Sequence, residues 1–223
     1  MAAKLGFLSR FRRHREDVRR REDVRRIIIS GTGRAGTTYL VELLTELGLD
    51  TGEWSSNDYF PEARAGLERG IFDPIGPRII KSPFLCENVD AVLAAGIKID
   101  HVVIPVRRFE DAAASRVYVQ EATTGSADGT PVEGGLWETG HANEQIAILY
   151  RKFANLIESL LRNDIPMTLI SFPRSAIDPQ YLFGKLSPLI PGTSQSRFQE
   201  AFSRISKPSL IHQFEHVSQK QGA

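Results

Sequence analysis

Cysteine is almost absent from this chain of 223 residues, where Cys86 stands alone. One thiol excludes an internal disulfide framework, fits a reducing compartment and reads as a small buried hydrophobe. Long apolar runs are missing too. No stretch approaches the ~20 residues that span a bilayer. The opening "MAAKLGFLSRFRRHRE" has basic residues, but its apolar patch is too short and interrupted for a signal-peptide core. The expected localisation is cytoplasmic. Excess charge is also lacking: a net of +1 argues against the chain as a whole binding polyanions. What remains, 41% hydrophobic and 25% charged residues, is the make-up of one globular domain with a sizeable core.

The small net charge hides an uneven spread. Residues 1–26 hold ten Lys or Arg and four Asp or Glu, while the other 197 hold 18 and 23. The hexamer "REDVRR" occurs twice, at 15–20 and 21–26. Its acidic residues are spaced to pair with arginines three or four positions on, as in a solvated helix. Residues 1–25 therefore read as a basic helical arm and 26–223 as a single domain. The arm is expected to be a solvated lead-in. With Leu5, Phe7, Leu8 and Phe11 it also offers peripheral contact with an acidic membrane surface or a protein partner. No aromatic platform or reader motif accompanies the charge, so nucleic acid is not expected as a partner.

From Arg26 onward the pattern is α/β. "RIIIS" (26–30) is a continuous apolar run, as in a central parallel strand. Further strands are expected at 78–81, 100–106 and 165–172. Helices are expected at 37–48, 89–96, 110–120, 143–163 and 178–190, with a long Gly/Thr/Ser-rich loop at 122–140. The tail from 193 is helical or irregular. Strands alternating with helices predict a three-layer fold, with about four to five parallel strands flanked by helices.

The stretch "IIISGTGRAGTTYL" (27–40) is strand, glycine-rich turn and helix, the layout of a phosphate-binding P-loop. Its glycines are Gly31 and Gly36, but the lysine expected next is Thr37. Backbone N–H groups in such a turn, with the N-terminus of the following helix, attract a phosphate whatever the nucleotide. In ATPases the loop lysine reaches the outer phosphates, and an Asp on a neighbouring strand helps hold magnesium. Here the lysine is absent, and the strand "HVVIPV" ends in Arg107 and Arg108. An anion with a 5′-phosphate and no triphosphate fits better.

At Arg34-Ala35-Gly36-Thr37-Thr38 the chain resembles the sulfotransferases that use 3′-phosphoadenosine 5′-phosphosulfate (PAPS), whose first motif commonly reads [KR]-x-G-T-T after a strand. The resemblance implies cofactor contacts along Gly33, Arg34, Ala35, Gly36, Thr37 and Thr38, with Arg34 near the oxygen that becomes the leaving group. The family's second motif is a strand-end arginine with a serine eight residues on, both holding the 3′-phosphate; Arg107 and Ser115 match it. A guanidinium fork suits a phosphate dianion. "PRIIKSP" (77–83) resembles the family's strand ending in lysine, which implies Lys81 beside the sulfuryl group. "LISFPRSAIDPQYL" (169–182) resembles its late strand and the helix after it.

The resemblance has gaps. The histidine base that many members carry two residues past the lysine is Pro83 here, and Ala35 stands where serine is common. Other members use an acid shortly after the first helix, where Glu53, Asp58 and Glu62 lie; Asp58 is favoured as the base, with His141 an outside candidate. The long loop, with Tyr118, Trp137 and His141, is expected to border the acceptor pocket. Arg108 and Arg116 read as solvated surface charge and His101 as structural. The basic C-terminal cofactor segment is not visible, although Lys207 in "ISKPSLIHQF" stands near its place. The function implied is in-line, metal-independent transfer of a sulfuryl group from PAPS to an acceptor hydroxyl or amine, with PAP as product. Carbohydrate, lipid and small-molecule acceptors remain open. The alternatives are a P-loop nucleotide kinase-like phosphotransferase and a non-catalytic PAP or nucleotide binder.

Overall fold

The computed structural model describes residues 24–60, 65–73 and 75–211. Most of the basic arm and Glu62 lie outside these residues. Four strands make one parallel sheet: β1 (Arg25–Ile29), β4 (Ile79–Lys81), β5 (Lys98–Val106) and β6 (Met167–Ser171), in the order β4-β1-β5-β6. Between β1 and β4 a small antiparallel pair, β2 (Tyr59–Phe60) and β3 (Ala65–Gly66), forms a separate ribbon. Two-residue strands carry no readable alternation, so the sequence did not announce this pair.

Among the described residues six α-helices cover the sheet: α1 (Thr37–Glu46), α2 (Leu85–Ala94), α3 (Phe109–Thr124), α4 (Gln145–Arg162), α5 (Pro179–Leu186) and α6 (Gln195–Ile205). Successive strand residues point to opposite faces. Ile29 and Val103 pack with Leu40, Leu43, Leu182 and Phe198, which places α1, α5 and α6 on one side. Ile28, Val102 and Ile104 pack with Leu85, Val89, Leu156 and Leu160, which places α2 and α4 on the other. Because both faces of the central strands are buried, β1 and β5 carry the apolar runs Ile27–Ile29 and Val102–Ile104, and this is why they were legible.

Local chemistry sets the helix limits. Asp178 caps α5 by accepting from the Tyr181 N–H at 2.9 Å, ahead of Pro179 at the first helical position. Gly125, left-handed at φ 75, ends α3. Ser194 caps α6, whose N–H groups the tail sequence had not distinguished from a loop. The Cys86 thiol is buried in α2, as expected of a small hydrophobe. Among the described residues no helix is long and apolar enough to cross a membrane.

Connections leave β1 toward β4 over one face, through α1, and return from β4 to β5 over the other, through α2. Such a reversal opens a crevice beyond the carboxyl ends of the strands. The segment after α6 is brought to that crevice by Phe198, Ala201 and Phe202, which are buried against α1. Phe198→Ala is expected to lower stability by about 3–5 kcal/mol through the cavity it leaves, measured by urea unfolding.

Candidate functional site

β1 ends at Ile29 and the chain turns sharply into α1. Gly33, Arg34 and Gly36 are left-handed, at φ 70, 55 and 81. Backbone of this hand gathers successive N–H groups into a concavity suited to anions, and α1 adds its N-terminus. At Gly36 a Cβ would lie 2.9 Å from the Phe172 ring, and at Gly33 it would lie 2.6 Å from a guanidinium nitrogen of Arg116. Gly36 is thus required by close approach as well as by φ, and Gly33 by φ. Arg34 adopts the same conformation with a side chain, at a cost of order 1–3 kcal/mol.

The turn floors a cleft of about 320 Å³ at the carboxyl ends of the strands. Gly33, Arg34, Gly36, Thr37 and Thr38 line it, together with Lys81, Arg107 and Ser115. Ala35 is fully buried behind the turn and is not part of the lining. Lys81, the last residue of β4, is buried; its ammonium donates to the Gly66 carbonyl (2.6 Å) and Thr38 Oγ1 (3.0 Å) and lies 3.4 Å from Glu68. Burial pulls its pKa down, while Glu68 holds it up.

Arg107 follows β5 and is buried. It donates to the main-chain oxygen of Arg34 at 3.3 Å, with its guanidinium 5.6 Å from the Phe172 ring centre. Ser115, in the second turn of α3, accepts from Arg34 Nε at 3.0 Å. The strand-end arginine, the helix serine and the loop arginine, identified separately in sequence, therefore adjoin in space.

Arg116 does not lie on a solvated surface. It is 8% exposed and lines the cleft. Its guanidinium donates to the carbonyls of Thr32 and Gly135, each at 2.8 Å, and sits 4.9 Å from the Trp137 ring centre. Its Nε is buried without a hydrogen-bond partner. Burial pulls its pKa down to about 9, which leaves it charged at neutral pH. No apolar stripe marks this burial in the sequence, because α3 buries Ser115, Arg116 and Gln120 along with its alanines. Arg108 is exposed, 3.7 Å from Glu110, as expected.

Trp137 both anchors the long loop and lines the cleft. Its backbone N–H donates to Gln145 Oε1 at 2.6 Å, and the Lys152 ammonium lies 5.0 Å from its ring centre. Lys152 is wholly buried and pairs with Glu87 and Glu138. Tyr118 is half exposed and outside the lining.

The candidate bases separate. Asp58 closes a capping box: its carboxylate accepts from the Ser55 N–H and hydroxyl, each at 2.8 Å, and those bonds hold its pKa below the usual carboxylate range. It does not line the cleft, and neither do Glu53 and His141. The His141 N–H bonds Thr139 Oγ1 at 3.0 Å. His101 is structural, with Nε2 at 2.8 Å from Thr168 Oγ1. Among the described residues the carboxylates that do line the cleft are Glu42, Glu68 and Glu133. Glu42 is one helical turn past Thr38 on the same face of α1, so its i+4 spacing was a readable signal. Burial raises its pKa, against the pull of Lys207 and Lys81. Lys207 and Ile211 bring the C-terminal segment to the same lining.

Among the described residues no group of three or more His, Cys, Asp or Glu is arranged to hold a metal ion. Neither a protein-family model nor a curated protein matches the chain. The geometry of the turn generates its own test. Gly36→Ala forces a side chain into a left-handed position against the Phe172 ring, and is expected to cost about 1–3 kcal/mol of stability by chemical denaturation.

Proposed function

We propose that the chain is a PAPS-dependent sulfotransferase acting on an acceptor hydroxyl or amine. One observation carries the reading: the glycine turn with Thr37 and Thr38, the strand-end Lys81 and Arg107, and Ser115 all face one cleft, their cationic side chains buried. Buried cations are costly unless anions or hydrogen bonds compensate them. Arg116, whose guanidinium is held against the Thr32 and Gly135 carbonyls and the Trp137 ring, fits an anionic ligand well.

In this proposal the turn N–H groups and the Thr37 and Thr38 hydroxyls hold the 5′-phosphate, and Arg107 with Ser115 holds the 3′-phosphate. PAPS, when bound, supplies the sulfuryl group and leaves as PAP. The acceptor oxygen forms its bond to sulfur as the bond from sulfur to the 5′-phosphate oxygen breaks. Lys81 and Arg34 neutralise the charge gathering on that oxygen, and positioning supplies most of the acceleration. Glu42 takes the acceptor's proton. It replaces Asp58 in this role, because it lines the cleft and its burial moves it toward the neutral range where a base works best.

The wild-type protein is expected to be stabilised against heat by PAP and PAPS more than by Mg-ATP. Arg107→Ala is expected to weaken PAP binding by about thirtyfold or more, as loss of a buried charge contact does. Stabilisation by Mg-ATP alone favours the kinase-like alternative, and PAP binding without turnover on an acceptor panel favours a sensor. Glu42→Gln is expected to keep PAP affinity and lose turnover. Glu42 must be ionised to accept a proton and its pKa is raised, so the acid limb of kcat/KM should fall above the usual carboxylate value of about 4. An acid limb at the ordinary value, or an active Glu42→Gln, points to another base.

A further inference from the structure

The outer face of α4 is apolar along most of the helix. Ile146, Tyr150, Phe153, Ala154, Ile157 and Leu161 recur at helical spacing, which aligns them in one stripe. Ile146, Tyr150 and Leu161 are 37%, 50% and 65% exposed. The Phe109 ring extends the stripe sideways, its centre 4.3 Å from that of Tyr150 and 5.4 Å from that of Phe153. Phe153, Ala154, Ile157 and Leu161 border a groove on the helix. The inner face is apolar as well, with Leu149, Leu156 and Leu160 wholly buried. A helix apolar on two faces is built to be covered on both.

Charges of opposite sign flank the stripe. Arg151 and Glu158 are seven residues apart, close to two helical turns, so they lie on the same side of it. Let two antiparallel copies of α4 meet across a two-fold axis that passes between Ala154 and Asn155. Arg151 of each copy then stands opposite Glu158 of the other. A parallel pair sets equal heights against each other and offers no such match. Ala154, small and exposed, sits at the axis and lets the helices approach closely. Both charges also have partners within the chain: Arg151 is 4.0 Å from Glu138, and Glu158 shares Arg162 with Asp90, each at 2.6 Å. All five side chains are exposed, so these pairs contribute little and rearrange at small cost. Three carboxylates at this rim disfavour an acidic lipid surface.

We propose that the outer face of α4 is a homodimer interface, on which a second copy of the chain packs antiparallel across a two-fold axis between Ala154 and Asn155. An isologous contact of this kind closes on itself and stops at two. The stripe is small beside an obligate interface, which puts the expected affinity in the micromolar range. The inference is independent of the nucleotide reading, because none of these residues lines the cleft.

Sedimentation velocity of the full chain over a concentration series reads the association directly. The wild type is expected to form dimers at micromolar concentration. Ala154→Glu sets two carboxylates side by side at the axis and should weaken the dimer at least about thirtyfold. Arg151→Glu and Glu158→Arg each set like charges across the contact and should weaken it at least about fivefold. An equimolar mixture of those two variants should recover dimers, since that heteropair meets opposite charges at both positions. All three substituted side chains are exposed, so the variants are expected to fold. A wild type that stays monomeric at the highest soluble concentration overturns the inference and leaves the face to another partner or to the basic arm. A dimer that Ala154→Glu leaves intact overturns it too, because that dimer forms elsewhere. A mixture that associates no better than either variant alone overturns the antiparallel arrangement.

Discussion

Buried positive charge held by main-chain carbonyls is the constraint on which the site depends. Lys81 donates to Gly66, Arg107 to Arg34, and Arg116 to Thr32 and Gly135. A carbonyl dipole offsets only part of the cost of desolvating a full charge. Each contact also fixes a piece of backbone: the ribbon at Gly66, the turn at Thr32 and Arg34, and the long loop at Gly135. The cations therefore assemble the cleft and supply its potential at once. An anionic ligand would complete the compensation that the carbonyls begin.

The layers outside the cleft keep those contacts in register. The wholly buried Lys152, paired with Glu87 and Glu138, presents its ammonium to the Trp137 ring, and Arg116 presents its guanidinium to the same ring. Gln120 and Gln145 accept from backbone N–H groups of the loop, at Leu136 and Trp137. A segment that reads as irregular in sequence is therefore held by side chains from α3 and α4. On the other face, Phe198 and Phe202 dock α6 on α1 and carry Lys207 to the rim.

The sheet was legible because its strands are buried on both faces, so Ile27–Ile29 and Val102–Val106 read as unbroken apolar runs. The glycine turn, Lys81, Arg107 and Ser115 were legible because each sits at a fixed distance from a strand end, and the fold gathers strand ends. Arg116 was not, since its burial depends on the loop that folds over it. Nor was Asp58 distinguishable from Glu42 as a base by type or nearness to the first helix. The bonds of Asp58 to Ser55 and the place of Glu42 in the cleft lining decide that, and both are three-dimensional facts. Glu42, one turn past Thr38, follows the same helix spacing that marks the core of α1.

The most direct measurement is a crystal structure of the protein with PAP. The 5′-phosphate is expected against the N–H groups of Gly36 to Thr38, with the 3′-phosphate between Arg107 and Ser115 and its oxygens within hydrogen-bond reach of both. PAP bound elsewhere, or bound in the cleft with Arg107 and Ser115 turned away from its ribose, would contradict it.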